Sequence, residues 1–213
     1  MDIIRAYAEK NLCYIAGKKM KPAGIVVHST GANNPTLKRY VDCPEKVGIN
    51  KYNNHWNTAT PEGHRVCVHA FIGYDKDNNV KVAEILPLNI CCWGVGKGPK
   101  GSYNDSPSYI QFEICEDNLH NEDYYKKAFS VAAEYVAYLC KEYNLSVDTV
   151  VSHKEAHKRG YGSNHGDPEH WMKNFGETMD DFRRTVSKIL KINDNEQKNV
   201  LETVTVTSQL FQD

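Results

Sequence analysis

Two histidines and one aspartate stand where they could together hold a metal ion. His28 lies near the end of the apolar run 23–29, and His153 directly follows the apolar run 148–152. Asp167 comes 14 positions after His153, on a segment that is predicted to be a loop. Two imidazoles and one carboxylate are typical of a catalytic zinc, which takes three protein ligands and leaves one position open. Ligands at strand ends are held rigidly, which favours a preformed site.

Spacing alone leaves the ligand set open, because the same part of the chain offers other donors. The competing side chains are Glu155, His157, His165 and His170. A histidine at a strand end is also more often a hydrogen-bonded structural residue than a ligand. No His-Glu-x-x-His run occurs, so the common helical zinc-hydrolase motif is excluded.

The elements that must position these residues follow from hydrophobic patterning. Continuous or alternating apolar residues predict strands over 23–29, 66–74, 80–86, 109–115 and 148–152. Apolar residues at helical spacing predict helices over 122–143 and 178–190. Glycine and histidine are frequent in 154–170, which is therefore predicted to be loop. Strands that alternate with helices predict a single α/β domain with a central mixed sheet flanked by helices, and the zinc site at its strand ends.

Composition limits the class of protein. The chain has 213 residues, with 26 Lys and Arg against 27 Asp and Glu, so the net charge is −1. This balance disfavours a nucleic-acid partner, and a hydrophobic fraction of 40% excludes a mostly disordered chain. No apolar run approaches the roughly 18 residues of a transmembrane helix. The seven scattered cysteines are an odd number without a Cys-x-x-Cys pair, which predicts buried, reduced thiols.

The chain is predicted to change character near residue 192. Residues 193–199 are all polar. Residues 200–210, which begin with Val200, then alternate apolar with polar residues. We therefore expect a catalytic domain over 1–191 and a polar linker or tail over 192–213, leading toward a further domain that this chain lacks. Residues 1–5 show no basic flank before an apolar core, so we expect no signal peptide.

Several segments, taken in order, resemble the type 2 N-acetylmuramoyl-L-alanine amidases, a family that includes amidase-active phage lysozymes and the animal peptidoglycan recognition proteins. Residues 24–30 (Gly-Ile-Val-Val-His-Ser-Thr) resemble its first zinc-ligand strand, and 151–155 (Val-Ser-His-Lys-Glu) its second ligand segment. Residues 108–114 (Ser-Tyr-Ile-Gln-Phe-Glu-Ile) are similar to its glutamate-bearing strand. The phrase at 163–171, Ser-Asn-His-Gly-Asp-Pro-Glu-His-Trp, looks most like clostridial and clostridial-phage endolysins or autolysins.

The resemblance implies zinc ligands at His28, His153 and Asp167, and catalytic positions at Glu113 and His165. Many relatives carry lysine where this chain has His165, and a histidine is cationic only if its pKa is held up. A glutamate in an apolar strand is costly when it is buried without a partner, so Glu113 needs either a structural partner or a chemical role.

The function implied by the resemblance is a zinc-dependent peptidoglycan hydrolase, which cleaves the amide between N-acetylmuramic acid and L-alanine of the stem peptide and so lyses cell walls. Two alternatives stay open: a peptidoglycan-binding module without activity, and a zinc peptidase that cuts within the stem peptide. Three competent ligand positions favour activity. The resemblance also implies synthesis in the cytoplasm and release to the wall during phage or prophage lysis, and a wall-binding role for the domain expected beyond 192–213. It leaves the oligomeric state open.

Overall fold

We describe the fold from a computed structural model, which describes residues 1–193. The predicted tail therefore lies outside the described residues from position 194 onward, and so does the alternating segment 200–210. Among residues 1–193, no helix is both long and apolar enough to cross a membrane.

Within residues 1–193, six strands form one mixed sheet. Their bounds are β1 Ile3–Arg5, β2 Ile25–Ser29, β3 Ala70–Tyr74, β4 Val80–Glu84, β5 Ile110–Ile114 and β6 Val150–Ser152. The strand order is β1-β4-β3-β5-β2-β6, and every neighbouring pair is parallel except the β3–β4 hairpin. The five predicted strands are thus all present, somewhat shorter than predicted, and β1 is an additional edge strand.

Helices cover both faces of this sheet. Their bounds are α1 Leu12–Ala16, α2 Pro44–Val47, α3 Glu122–Tyr143, α4 His153–Arg159 and α5 Glu169–Met172, followed by a last helix, α6, over 179–193. The α3 helix has the predicted bounds, with Asn121 as its N-cap and Asn144 in the left-handed conformation at its end. The prediction that 154–170 is entirely loop is wrong, because α4 and the start of α5 lie within it.

Alternation along the central strands decides which face each side chain reaches. In β2, Ile25 and Val27 pack with α3 in the main hydrophobic core, whereas Val26 belongs to a cluster on the opposite face. In β5, Phe112 likewise packs toward α3. Because side chains alternate along a strand, His28 and Glu113 lie on the face opposite α3, where a site can open to solvent.

All seven cysteines are buried and free. Burial raises the pKa of the thiols of Cys92, Cys115 and Cys140, and a hydrogen bond with Cys13 together with burial raises that of Cys67, so these four resist ionisation. The prediction of buried reduced thiols is confirmed. None of the seven cysteines belongs to the group of side chains that could hold a metal ion.

Candidate metal centre

His28 lies on a strand whose five residues are all buried. It lies on β2, between β5 and β6, and its side chain is only 2% exposed. Its Nδ1 lies 3.1 Å from Oδ2 of Asp167, and its Nε2 lies 3.1 Å from Oε1 of Gln111. The two ring nitrogens therefore have different surroundings: one faces a carboxylate and the other a side-chain amide.

His153 is the first residue of α4 and directly follows β6. A capping box holds this junction: the Ser152 hydroxyl accepts from the Glu155 backbone N–H, and the Glu155 carboxylate accepts from the Ser152 N–H. Nδ1 of His153 lies 3.3 Å from Oδ1 of Asp167, and its Nε2 lies 3.1 Å from the Ser163 hydroxyl. His153 thus presents its ring in the same way as His28.

Asp167 places one carboxylate oxygen against each histidine, from the loop between α4 and α5. Its side chain is 14% exposed. Burial is the main cause that lowers the pKa of His153, which favours the neutral ring that a metal requires.

The three residues can hold a metal ion together. Each offers a donor atom, and the three atoms all lie within 4.8 Å of one another. Two neutral imidazoles and a carboxylate suit zinc, and three protein ligands leave a position for a reactant. The Nε2 atoms of both rings, which point away from Asp167, already have hydrogen-bond partners in Gln111 and Ser163, as ligating histidines usually do. The residues therefore fit a divalent metal such as zinc.

Glu113 lies beside His28 in the sheet. The two are paired in the register of parallel strands β2 and β5, so their side chains leave the sheet on the same face. Oε2 of Glu113 is buried and meets no hydrogen-bond partner within residues 1–193. Burial raises the pKa of Glu113 well above its usual range, and the charges of Asp167 and Glu116 add to the effect. The structural partner that sequence reasoning considered for Glu113 is not found among the described residues.

His165 lies at the mouth of the site. Its side chain is 63% exposed, its Nδ1 lies 4.0 Å from Oδ1 of Asp167, and its ring centroid lies 4.5 Å from that of His153. Partial burial and the neighbouring His153 lower the pKa of His165. The side chain is therefore suited to donate a hydrogen bond as a neutral imidazole, rather than to act as a fixed cation like lysine.

The competing ligands near His153 are engaged elsewhere. Glu155 forms two hydrogen bonds with the Arg183 guanidinium, both 2.9 Å long. Nδ1 of His157 lies 3.2 Å from the Gly162 carbonyl oxygen, and Nε2 of His170 lies 3.0 Å from Oε1 of Glu116. The structure thus distinguishes the candidate ligands from Glu155, His157 and His170, which spacing alone could not exclude.

Two residues at the centre, Gln111 and Ser163, were not singled out from the sequence. Gln111 contacts Nε2 of His28, and Ser163 contacts Nε2 of His153. The available signal was weak: Gln111 is a polar residue within an otherwise apolar strand, and it must find partners when it is buried. His69 lies next to Gln111 without being a candidate ligand: its Nε2 donates to the Ile90 carbonyl oxygen, and its Nδ1 accepts from the Gln111 backbone N–H.

Three aromatic residues in the segments between the strands differ in exposure. Trp56 is buried and packs edge-on against Phe71, and Tyr103 is buried in a stack with Tyr109. Neither Trp56 nor Tyr103 therefore offers an exposed ring face for stacking. Trp93 is half-buried, with the Arg65 guanidinium 4.9 Å from its ring centroid.

The family model described as N-acetylmuramoyl-L-alanine amidase matches residues 18–170, well over half of the chain and all of the candidate site. The chain belongs to this family. The matched range contains the seven residues of the site that come from β2, β5, α4 and the following loop: His28, Gln111, Glu113, His153, Ser163, His165 and Asp167.

Curated relatives of this amidase family member are much longer proteins. Protein Ami of Listeria monocytogenes is 27% identical over 179 residues, which is 80% of this chain and 16% of the relative. The bifunctional autolysin of Staphylococcus epidermidis is 26% identical over 161 residues, which is 72% of this chain and 10% of the relative. The chain therefore spans a sixth or less of the length of these two relatives.

Solved structures share the fold. The Staphylococcus aureus hydrolase AmiA, in complex with its ligand, aligns with a TM-score of 0.63 and 23% identity over 92% of this chain and 86% of that one. The PlyG catalytic domain aligns with a TM-score of 0.60 and 23% identity over 88% of this chain and 94% of that one. These alignments confirm the single α/β domain with a mixed sheet.

Proposed function

We propose that this chain is a zinc-dependent peptidoglycan amidase, which hydrolyses the bond between the lactyl group of N-acetylmuramic acid and L-alanine. The observation that supports it most is the convergence of His28, His153 and Asp167, with donor atoms within 4.8 Å of one another, inside a range that matches the amidase family. Glu113 emerges beside this set on the same face of the sheet.

The metal would be held by Nδ1 of both histidines and by the Asp167 carboxylate. A zinc ion bound there supplies Lewis acidity, which strengthens water as a nucleophile at neutral pH and polarises the scissile carbonyl. The fit rests on the donor set itself: both Nδ1 atoms already face the Asp167 carboxylate, at 3.1 and 3.3 Å.

Glu113 acts as the general base and then as the general acid. Its free Oε2 takes a proton from the attacking water as the C–O bond forms, and it returns that proton to the L-alanine nitrogen as the C–N bond breaks. The products are the lactyl carboxylate and the free amine of the stem peptide. A raised pKa suits this role, because the group must hold a proton between the two steps.

His165 donates an N–H to the carbonyl oxygen as negative charge develops on it. Its exposed position at the mouth of the site lets it reach a bound substrate, and a neutral ring can donate without carrying a charge.

We further propose the bacterial cell wall as the place of action, reached by release during phage or prophage lysis, and residues 1–191 as the catalytic unit. The match of the family model to residues 18–170 lies within this proposed catalytic unit.

Digestion of purified muropeptides tests this proposal. Zinc-loaded protein is expected to release intact stem peptides with a free L-alanine amine, which mass spectrometry identifies. The Glu113→Gln variant, loaded with the same amount of zinc, serves as the matched control. Cleavage within the stem peptide would instead indicate a zinc peptidase, and retained binding without any cleavage would indicate a binding module.

A further inference from the structure

Both histidines of the proposed metal site connect through side chains to one peptide segment, Gly94-Val95-Gly96. Val95 is fully buried. Its N–H donates to Oδ1 of Asn104 at 3.2 Å, and its carbonyl oxygen accepts from the Ser163 hydroxyl, also at 3.2 Å. Asn104 contacts Gln111, which in turn contacts His28. Ser163 contacts His153 directly.

The hydrogen bonds on the His28 side can run in only one direction. The backbone N–H groups of Gly94 and Val95 are donors, so the Asn104 atom that they meet must be the amide oxygen. The Gln111 atom 2.8 Å from this oxygen must then be its NH₂ group. The other end of the Gln111 amide is consequently an oxygen, and it lies 3.1 Å from Nε2 of His28. His28 must carry its proton on Nε2.

The His153 side follows the same logic with fewer bonds. The Val95 carbonyl oxygen can only accept, so the Ser163 hydroxyl uses its single proton there. The Ser163 backbone N–H donates to the same carbonyl oxygen at 2.9 Å and fixes the residue in place. Nε2 of His153, 3.1 Å from the hydroxyl oxygen, must therefore be the donor of that contact.

The two glycines make room for these side chains. A Cβ at Gly94 would lie 2.5 Å from Oε1 of Gln111, and a Cβ at Gly96 would lie 2.7 Å from the Ser163 hydroxyl oxygen. Gly96 also has a φ of +67°, a conformation that other residues rarely adopt. Each glycine thus permits the close approach of one of the two side chains that contact the candidate ligands.

We propose that Gly94-Val95-Gly96 sets the tautomer of both metal-binding histidines, with Gln111 and Ser163 as positioning residues. They hold the proton of each ring on Nε2, so that both Nδ1 lone pairs are presented toward Asp167 and the metal. This inference rests on the metal site proposed above and assigns a role to six residues outside the ligand set, namely the three residues of the segment together with Asn104, Gln111 and Ser163. Partners that orient ligating histidines contribute about 10- to 100-fold to metal affinity.

Zinc affinity, measured by competition with a chromogenic chelator, tests the proposal without reference to catalysis. Gln111→Leu and Ser163→Ala are each expected to weaken zinc binding about 10- to 100-fold. Asn104→Leu, which does not touch His28, should weaken it in the same direction, because the Gln111 NH₂ group then keeps only its longer 3.4 Å hydrogen bond to the Tyr103 carbonyl oxygen. Asn104→Asp keeps the accepting oxygen and should restore affinity close to that of the native protein. Ser187→Ala, a serine on α6 that bonds only the Arg183 carbonyl oxygen in the described residues, is the matched control.

A spectroscopic measurement separates positioning from a general loss of packing. In ¹⁵N-labelled zinc-loaded protein, His28 and His153 are each expected to show a slowly exchanging proton on Nε2, and this signal should be lost for His28 alone in Gln111→Leu. Zinc bound to Nε2 of either ring, or unchanged zinc affinity in both Gln111→Leu and Ser163→Ala, would overturn the inference. Absence of zinc binding by the native protein would instead refute the proposed metal site itself.

Discussion

Nδ1 of His28 lies 3.1 Å from Oδ2 of Asp167, although 139 positions separate the two residues in the sequence. The second carboxylate oxygen of Asp167 lies 3.3 Å from Nδ1 of His153. The Asp167 carboxylate thus lies between His28 on β2 and His153, the first residue of α4. If both rings carry their protons on Nε2, each Nδ1 presents a lone pair to a carboxylate oxygen. Such an arrangement is repulsive until a cation lies between the three groups.

Asp167→Asn is expected to remove most zinc binding without a large change in shape, because the side chain keeps its size and loses its charge. Zinc content after dialysis, measured by atomic emission, should fall well below one ion per chain, and amidase activity should fall with it. His157→Gln is the matched control, since His157 lies on α4 and bonds the Gly162 carbonyl oxygen outside the ligand set. Equal zinc content in Asp167→Asn and the native protein would show that Asp167 is not a ligand.

Glu113→Gln should leave zinc content unchanged and lower the turnover rate by about 10²-fold or more, the usual scale for a general acid–base group. The amide cannot accept the proton of the attacking water, although it occupies nearly the same volume. Paired measurements of bound zinc and of muropeptide cleavage check this. A native rate in Glu113→Gln would assign the buried carboxylate a role other than proton transfer.

The fold was largely predictable because its strongest elements are encoded locally. The α3 helix has apolar residues at three- and four-residue spacing over its whole length, so its predicted bounds match those in the structure. The α4 helix was missed because its glycine- and histidine-rich surroundings indicated a loop. Its local signals were present nonetheless: Ser152 and Glu155 form a capping box, and Gly160 ends the helix in a left-handed conformation.

The candidate site was predictable only in part, because its contacts join distant positions. Gln111 bonds His28 across 83 positions and the backbone of β5 bonds His69 across 42. No local pattern reports such pairings, so a single sequence shows Gln111 only as a polar residue within an apolar strand. The same holds for Ser163, whose contact with Val95 spans 68 positions.

His165→Ala should keep zinc and lower the turnover rate by about 10²-fold, as expected for removal of one donor to the developing charge. His165→Lys restores a donor of longer reach and positive charge, so it should recover part of the lost rate. The pair of variants is compared by turnover at saturating substrate. If His165→Ala kept the native rate, a role in stabilising the transition state would be excluded.

His69 should make the fold less stable in mild acid. Burial lowers its pKa from 6.5 to about 4, and a proton on Nδ1 would oppose the Gln111 N–H that this atom accepts. Between these two values the unfolded chain binds a proton that the folded protein excludes, so stability falls as pH falls from 6.5 to 4. The total loss is about 3 kcal/mol.

Urea unfolding at several pH values checks this expectation against a His69→Gln variant, which has no ring to protonate. The variant should be less stable than the native protein at pH 7, because the glutamine cannot reproduce both hydrogen bonds. The difference in unfolding free energy between the two proteins should then shrink as pH falls to 4. Parallel pH profiles in the two proteins would show that His69 is not responsible.

Arg183 should stabilise the protein far more than its neighbour Arg184, although both carry an aspartate partner one helical turn earlier. The Arg183 side chain is 18% exposed and forms two hydrogen bonds with Glu155, whose carboxylate caps α4. Arg184 is 66% exposed and pairs with Asp181 alone among the described residues. Arg183→Ala should therefore cost about 2 kcal/mol, because it leaves a half-buried carboxylate without its main partner. Arg184→Ala should cost less than about 0.5 kcal/mol.

Thermal unfolding distinguishes the two arginine variants. For a chain of this size, 2 kcal/mol corresponds to a fall in Tm of about 4–8 °C, whereas Arg184→Ala should stay close to the native value. Because the Glu155 carboxylate also holds the start of α4, Arg183→Ala should loosen His153 and weaken zinc binding as well. A fall in Tm with native zinc affinity would show that the ion pair stabilises the fold without helping to position His153. Equal Tm values for the two variants would refute the difference in stabilisation altogether.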